Sequence, residues 1–216
     1  MVVTSPFVHP PRPIGEQRVV FHDLTWFAYQ QILQALGERR SARLNYDRGT
    51  LEITMPLEEH EFYSELIGRF IYFLVAEMGQ KIKTMGSTTL GREDLDRSAE
   101  PDKAYYIQNL AKVAGKTIDL QRDPPPDLVV EVDITHTDID KLSLYARIGI
   151  AEFWRYNGQV WRIYQLVGEQ YQEVNTSPTF PFVPNVKLAE FLAQAKVDEI
   201  EAERTLRQWV RQTLHQ

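Results

Sequence analysis

Apolar positions in this chain follow two rhythms. Over residues 58–78, Phe62, Leu66, Ile67, Phe70, Ile71, Leu74, Val75 and Met78 recur at intervals of three and four, and that period predicts an amphipathic helix. Residues 21–36 repeat it more weakly through Phe27, Ile32, Leu33 and Leu36, with Thr25 as N-cap and Gly37 as stop. Alternation takes over at Ala42-Leu44-Tyr46 and Leu51-Ile53-Met55, two strands joined through Asp47-Arg48-Gly49 into a hairpin. Residues 81–90 and 103–107 predict strands, the charged residues 91–99 a loop, and residues 111–122 a loop or small hairpin. Residues 138–148 predict a helix that Gly149 stops. Residues 152–156 and 159–165 flank Asn157-Gly158 as a second hairpin, and 171–174 adds a strand. A helical region runs from residue 187 to about residue 214. Helices and strands in this order predict an α/β or α+β layer structure with a mixed sheet.

One strand breaks the apolar rule. Pro126-Asp127-Leu128-Val129-Val130-Glu131-Val132-Asp133 has the apolar run of a buried strand, entered through three prolines. An unpaired carboxylate is costly in such a place. Glu131 and Asp133 are two apart and leave the same face. A second Pro-Asp, Pro101-Asp102, opens the strand at 103–107, and Lys141 stands one turn into the helix that follows the acidic strand. Hydrolysis of a phosphodiester by metal-activated water needs hard oxygen ligands for Mg²⁺ or Mn²⁺ and a cation that meets the charge of the transition state. Asp102, Glu131 and the carbonyl of Val132 are candidate ligands, and Lys141 is the candidate cation. Asp127 also follows a proline, but it shares a strand with Glu131, whereas one ion held between two strands needs an acid from each. Gly115-Lys116-Thr117 ends like a P-loop, yet Leu110 stands where the earlier glycine belongs. The five histidines lack the spacing of a helical zinc site. Trp154, Tyr156, Trp161 and Tyr164 read either as cross-strand packing or as a base-stacking platform.

Composition narrows the classes. The chain has 216 residues, 43% of them hydrophobic, which suits one domain with a sizeable core. No apolar run reaches membrane-span length. The absence of cysteine removes disulfides, thiolate zinc sites and cysteine nucleophiles, and it fits a cytoplasmic protein. A net charge of −6 counts against broad phosphate contact, although a local basic patch or bound cations can supply it.

The segments Glu-Pro-Asp-Lys-Ala-Tyr-Tyr-Ile-Gln-Asn (100–109), Pro-Pro-Pro-Asp-Leu-Val-Val-Glu-Val-Asp-Ile-Thr (124–135) and Leu-Tyr-Ala-Arg-Ile-Gly-Ile-Ala-Glu-Phe-Trp-Arg-Tyr (144–156) resemble the Uma2 family, common in cyanobacteria. Residues 46–53 and 55–60 resemble it too. The resemblance implies a restriction-endonuclease-like fold of the PD-(D/E)xK superfamily, a mixed central β-sheet flanked by α-helices. It implies an endonuclease with Mg²⁺ or Mn²⁺ as cofactor and nucleic acid, DNA before RNA, as partner; cutting both strands of a duplex then suits a homodimer. Asp102 takes the place of the Pro-Asp acid and Glu131 that of the second acid; both would bind the metal. Asp133 stands where the motif has its lysine, and Lys141 on the next helix matches the family's basic residue. Glu65 resembles the extra helix acid that many superfamily members place beside the metal. The expected organisation is a flexible arm at 1–20, the nuclease-like domain at 21–195 and a terminal helix at 196–216. A non-catalytic interaction protein on the same fold is the alternative.

Overall fold

The longest apolar stripe forms the longest helix. A computed structural model describes residues 17–37 and 40–215; the expected arm lies outside the described residues as far as residue 16. In chain order the elements are β1 (Gln17–Phe21), α1 (Trp26–Leu36), β2 (Arg43–Asp47), β3 (Thr50–Met55), α2 (Glu58–Glu77), β4 (Lys83–Thr84), β5 (Leu90–Arg92), β6 (Arg97–Ala99) and β7 (Lys103–Tyr106). Then follow α3 (Leu110–Val113), β8 (Leu128–Val132), α4 (Lys141–Ile148), β9 (Glu152–Tyr156), β10 (Trp161–Val167), β11 (Gln170–Val174), α5 (Asn185–Ala195) and α6 (Glu199–Leu214). No described helix is long and apolar enough to cross a membrane.

The strands form two sheets. One is antiparallel throughout, in the order β1-β3-β2-β6-β5. The other runs β11-β10-β9-β8-β7-β4 and is mixed, because β8 and β9 are parallel. A parallel pair needs a long crossover; here it contains α4, which lies over one face. Alternation along β8 sends Leu128, Val130 and Val132 into a core with α2, α5 and α6. Val129 points the other way, among Leu144, Tyr145 and Ile148 of α4 and Phe153 of β9. Each fully buried Leu, Ile or Phe in these layers contributes about 1.5–3 kcal/mol. A smaller core under α1 holds Tyr29, Leu44, Tyr46 and Leu51.

Several local expectations shift. The first helix starts at Trp26 rather than residue 21, because Asp23 adopts φ 57° and the Thr25 hydroxyl accepts from Ala28 N at 3.2 Å. Phe21 ends β1 instead, an edge strand whose Val19 and Phe21 are exposed and so give no core signal. Residues 91–99 are not a loop: β5 and β6 pair there. Apolar alternation does not reveal them, because Leu90 and Ala99 are their only buried apolar residues, while the buried Ser98 bonds Tyr29 and Arg97 pairs with Asp47. Of the strand expected at residues 81–90, only Lys83 and Thr84 pair with β7, and Leu90 begins β5 in the other sheet. The hairpin turns exchange roles. Arg48-Gly49 makes the two-residue turn with φ 43° and 93°, as a type I′ turn requires. Asn157-Gly158 belongs to a four-residue connection in which Asn157 Oδ1 accepts from Gln159 N and Val160 N. Trp154, Tyr156 and Trp161 are core residues on one face and Tyr164 on the other, which settles them as packing.

Candidate functional site

The two acids meet because of strand register. β7 pairs with β8 antiparallel, Lys103 opposite Val130. One step beyond that pair, Asp102 faces Glu131, and side chains so placed leave the sheet on one face within reach of each other. Asp102 reinforces the junction: its Oδ2 accepts from Val132 N at 2.6 Å, replacing the ladder bond that β7 no longer makes. Both acids are nearly fully buried and line a cavity of about 20 Å³ together with Arg43, His60, Val132, Asp133 and Lys141. Such a space holds one water or a bare ion.

Lys141 opens α4, which Asp140 caps by accepting from Leu142 N and Ser143 N. From there its Nζ reaches Glu131 Oε2 at 2.8 Å and Asp133 Oδ1 at 2.5 Å. An ammonium therefore stands beside the strand acid although the motif position holds Asp133. The second oxygen of Asp133 lies 2.8 Å from Arg155 Nε, an ion pair without hydrogen-bond alignment. Tyr145, one turn after Lys141, donates its hydroxyl to Glu131 Oε1. The i, i+4 spacing puts both groups on one helix face. On the other side, Arg43 of β2 binds Asp102 Oδ1 and His60 Nε2 lies 3.1 Å from Asp102 Oδ2. The site thus sits where the two sheets join.

The charges are set by burial against neighbours. Burial works to raise the Asp102 carboxyl, but the His60 hydrogen bond and the charges of Arg43, His60 and Lys141 outweigh it and hold the group below the usual value. Glu131 is pushed up to about 7, first by burial, with Lys141 opposing and Asp102 and Asp133 adding. Burial disfavours the Lys141 ammonium, yet Asp133, Glu131 and Asp102 more than compensate, so it stays charged above its ordinary range.

Glu65 is not part of this cluster. Its exposed carboxylate faces Lys103 at 3.2 Å and Arg69 at 3.6 Å, and it does not line the cavity. From the same helix His60 enters instead, a residue whose place in the 55–60 segment carried no assigned role. Arg43, His60 and Tyr145 are what the sequence did not disclose; the spacing of Lys141 and Tyr145 was the one available signal. Asp127 binds Ile107 N, Asn109 N and Asn109 Nδ2, which fixes the turn after β7. It plays no part in the cavity.

Among the described residues no three His, Cys, Asp or Glu side chains cluster closely enough to hold a metal by themselves. Two carboxylates still suit Mg²⁺, which keeps several waters and takes one or two protein carboxylates together with substrate phosphates. The donors are hard oxygens and the cavity is ion-sized, so the residues present fit such an ion.

A crystal structure titled "a putative nuclease belonging to DUF820 from Anabaena variabilis ATCC 29413" is similar, with TM-score 0.48, 14% identity, and 87% of this chain and 99% of that chain covered. No curated protein matches the chain. The family model described as "Uma2: Putative restriction endonuclease" matches residues 27–198, well over half of the sequence. The chain therefore belongs to the Uma2 family.

Proposed function

We propose that this protein is a Mg²⁺- or Mn²⁺-dependent endonuclease that hydrolyses phosphodiester bonds of DNA. The observation that supports it is the meeting of Asp102 and Glu131 across adjacent strands on one ion-sized cavity, with the Lys141 ammonium against Glu131. Asp102, Glu131 and the backbone of Val132 are the groups that hold the cation. When bound, a divalent cation polarises the phosphate and acidifies a water. Lys141 keeps a positive charge at the cavity, where it stabilises negative charge that develops on the phosphate. Asp133 and Tyr145 are positioning residues, since the first anchors Lys141 and the second orients Glu131. Arg43 neutralises Asp102, and Lys141 neutralises Glu131.

Supercoiled plasmid incubated with the purified protein and Mg²⁺ or Mn²⁺ is expected to be nicked, and Glu131→Ala to abolish the nicking. Undiminished activity in that variant overturns the assignment. No cleavage, together with no heat of Mn²⁺ binding, points instead to an interaction module on this fold. We further propose a cytoplasmic protein acting as a two-fold pair, one copy for each DNA strand. Sedimentation at the mass of a single chain would reject the pair.

A further inference from the structure

A larger groove opens from the small cavity. It has a volume of about 750 Å³ and shares Arg43, Pro56 and Glu100 with the cavity. Its remaining lining is Arg40, Ser41, Ala42, Glu61 and the run Ser87-Thr88-Thr89, polar except for Ala42. Guanidinium and hydroxyl groups are the usual donors to phosphate oxygens. Among the described residues no aromatic side chain lines the groove. Proteins that grip single strands rely on aromatic side chains on which bases stack, so this surface is made for backbone rather than bases.

The groove is also built from beneath. Glu100 is nearly fully buried at its floor. It accepts from Thr89 Oγ1 at 2.5 Å and Leu44 N at 2.9 Å, and it pairs with Arg40. Its carboxylate thereby holds the 87–89 run and Arg40 against β2. Arg43 is the link to the centre. One of its terminal nitrogens binds Asp102, and the other meets Glu61 Oε1 at 3.0 Å inside the groove. Glu61 is about half exposed, at 53% of its side-chain surface, and so is free to turn outward.

We infer that the groove grips the sugar-phosphate backbone of duplex DNA beside the scissile bond, with Arg43 and the Ser87 side chain as the phosphate donors. Glu61 occupies on Arg43 the place that a phosphate oxygen takes, and it tunes affinity by competing for that guanidinium. This rests on the endonuclease reading, since it names the substrate of that site.

The test is binding, measured without divalent metal by the fluorescence anisotropy of a labelled 20-base-pair duplex and of the corresponding single strand. Wild type is expected to prefer the duplex. Glu61→Gln should bind the duplex about threefold to fivefold tighter at low salt, the scale of one exposed ion pair, and the gain should fade as salt rises. Ser87→Ala should bind it about threefold more weakly, because its hydroxyl makes one neutral hydrogen bond. Glu61 and Ser87 are both exposed, so folding is not at stake. Arg40→Ala is avoided because it would strand the buried Glu100. Preference for the single strand, or unchanged affinity in both variants, overturns the inference. Duplex binding that responds as expected but is never followed by Mg²⁺-dependent cleavage defeats the endonuclease reading and leaves the groove standing.

Discussion

Lys141 decides whether the cluster of acids can exist. Glu131 and Asp133 are both nearly fully buried, and each gives Lys141 one oxygen. Removing one partner of a buried ion pair is far more costly than the pair is worth, because the remaining charge keeps its desolvation penalty. Lys141→Met should therefore lower the unfolding free energy by about 3–5 kcal/mol, measured as a shift of the urea midpoint. A change no larger than that of a surface lysine would show that Asp133 and Glu131 do not depend on it. The same residue explains how the site tolerates Asp133 at the motif position. A long side chain from the next helix delivers its ammonium to the strand acid, and Asp133 becomes the anchor that aims it.

Between elements, ion pairs hold the terminal helix in place. Glu77 at the end of α2 accepts from Arg207 Nη1 at 2.9 Å and Arg211 Nε at 2.7 Å, joining α2 to α6. Its carboxyl is held below the ordinary value mainly by the Arg211 hydrogen bond, burial opposing and Arg207 adding. A depressed carboxyl stabilises the fold above its unfolded value, near 4.5, and loses that contribution as pH falls through the folded value. Glu77→Gln should thus unfold at lower urea than wild type at pH 7, with the difference narrowing as the pH is taken down through the lowered Glu77 value. A gap that is constant with pH would remove the charge from the explanation. A comparable clamp binds the sheets together: Glu52 of β3 accepts from Thr137 Oγ1 at 3.0 Å and Asp138 N at 2.9 Å. That fastens the 133–140 segment, and with it the start of α4, to the antiparallel sheet.

For the molecule as a whole, the proposed function links folding to metal binding. The site draws Arg43 from one sheet, Asp102 and Glu131 from the other, His60 from α2 and Lys141 from α4. Such a set cannot persist in the unfolded chain, so a cation that binds it stabilises the native state. Mn²⁺ at about 100 times its Kd should add about 2.7 kcal/mol to the unfolding free energy. Glu131→Ala should show no such gain. Equal stabilisation of both proteins would place the ion elsewhere.

The long apolar stripe of α2, the alternation of β2 and β3 and the acidic strand β8 are all legible without coordinates, because each carries a periodic signal within one segment. Asp102, Glu131 and Lys141 stand out for a related reason: a charge inside an apolar strand, or beside one, is costly enough to need a purpose. The family resemblance fixed the fold class and the pairing of the two acids. What the linear chain could not show was contact between segments. Strands β5 and β6 each bury a single apolar residue, Leu90 or Ala99, and the inward Arg97 and Ser98 are satisfied by partners elsewhere, so the strands look like loops. His60 outranks Glu65 at the cavity because α2 turns its first buried face, and not its exposed acids, toward Asp102. Arg43 reaches the site only once the antiparallel sheet docks against the mixed one. Local periodicity is a property of a segment, whereas which charges neutralise one another depends on distances that exist only after the sheets have packed.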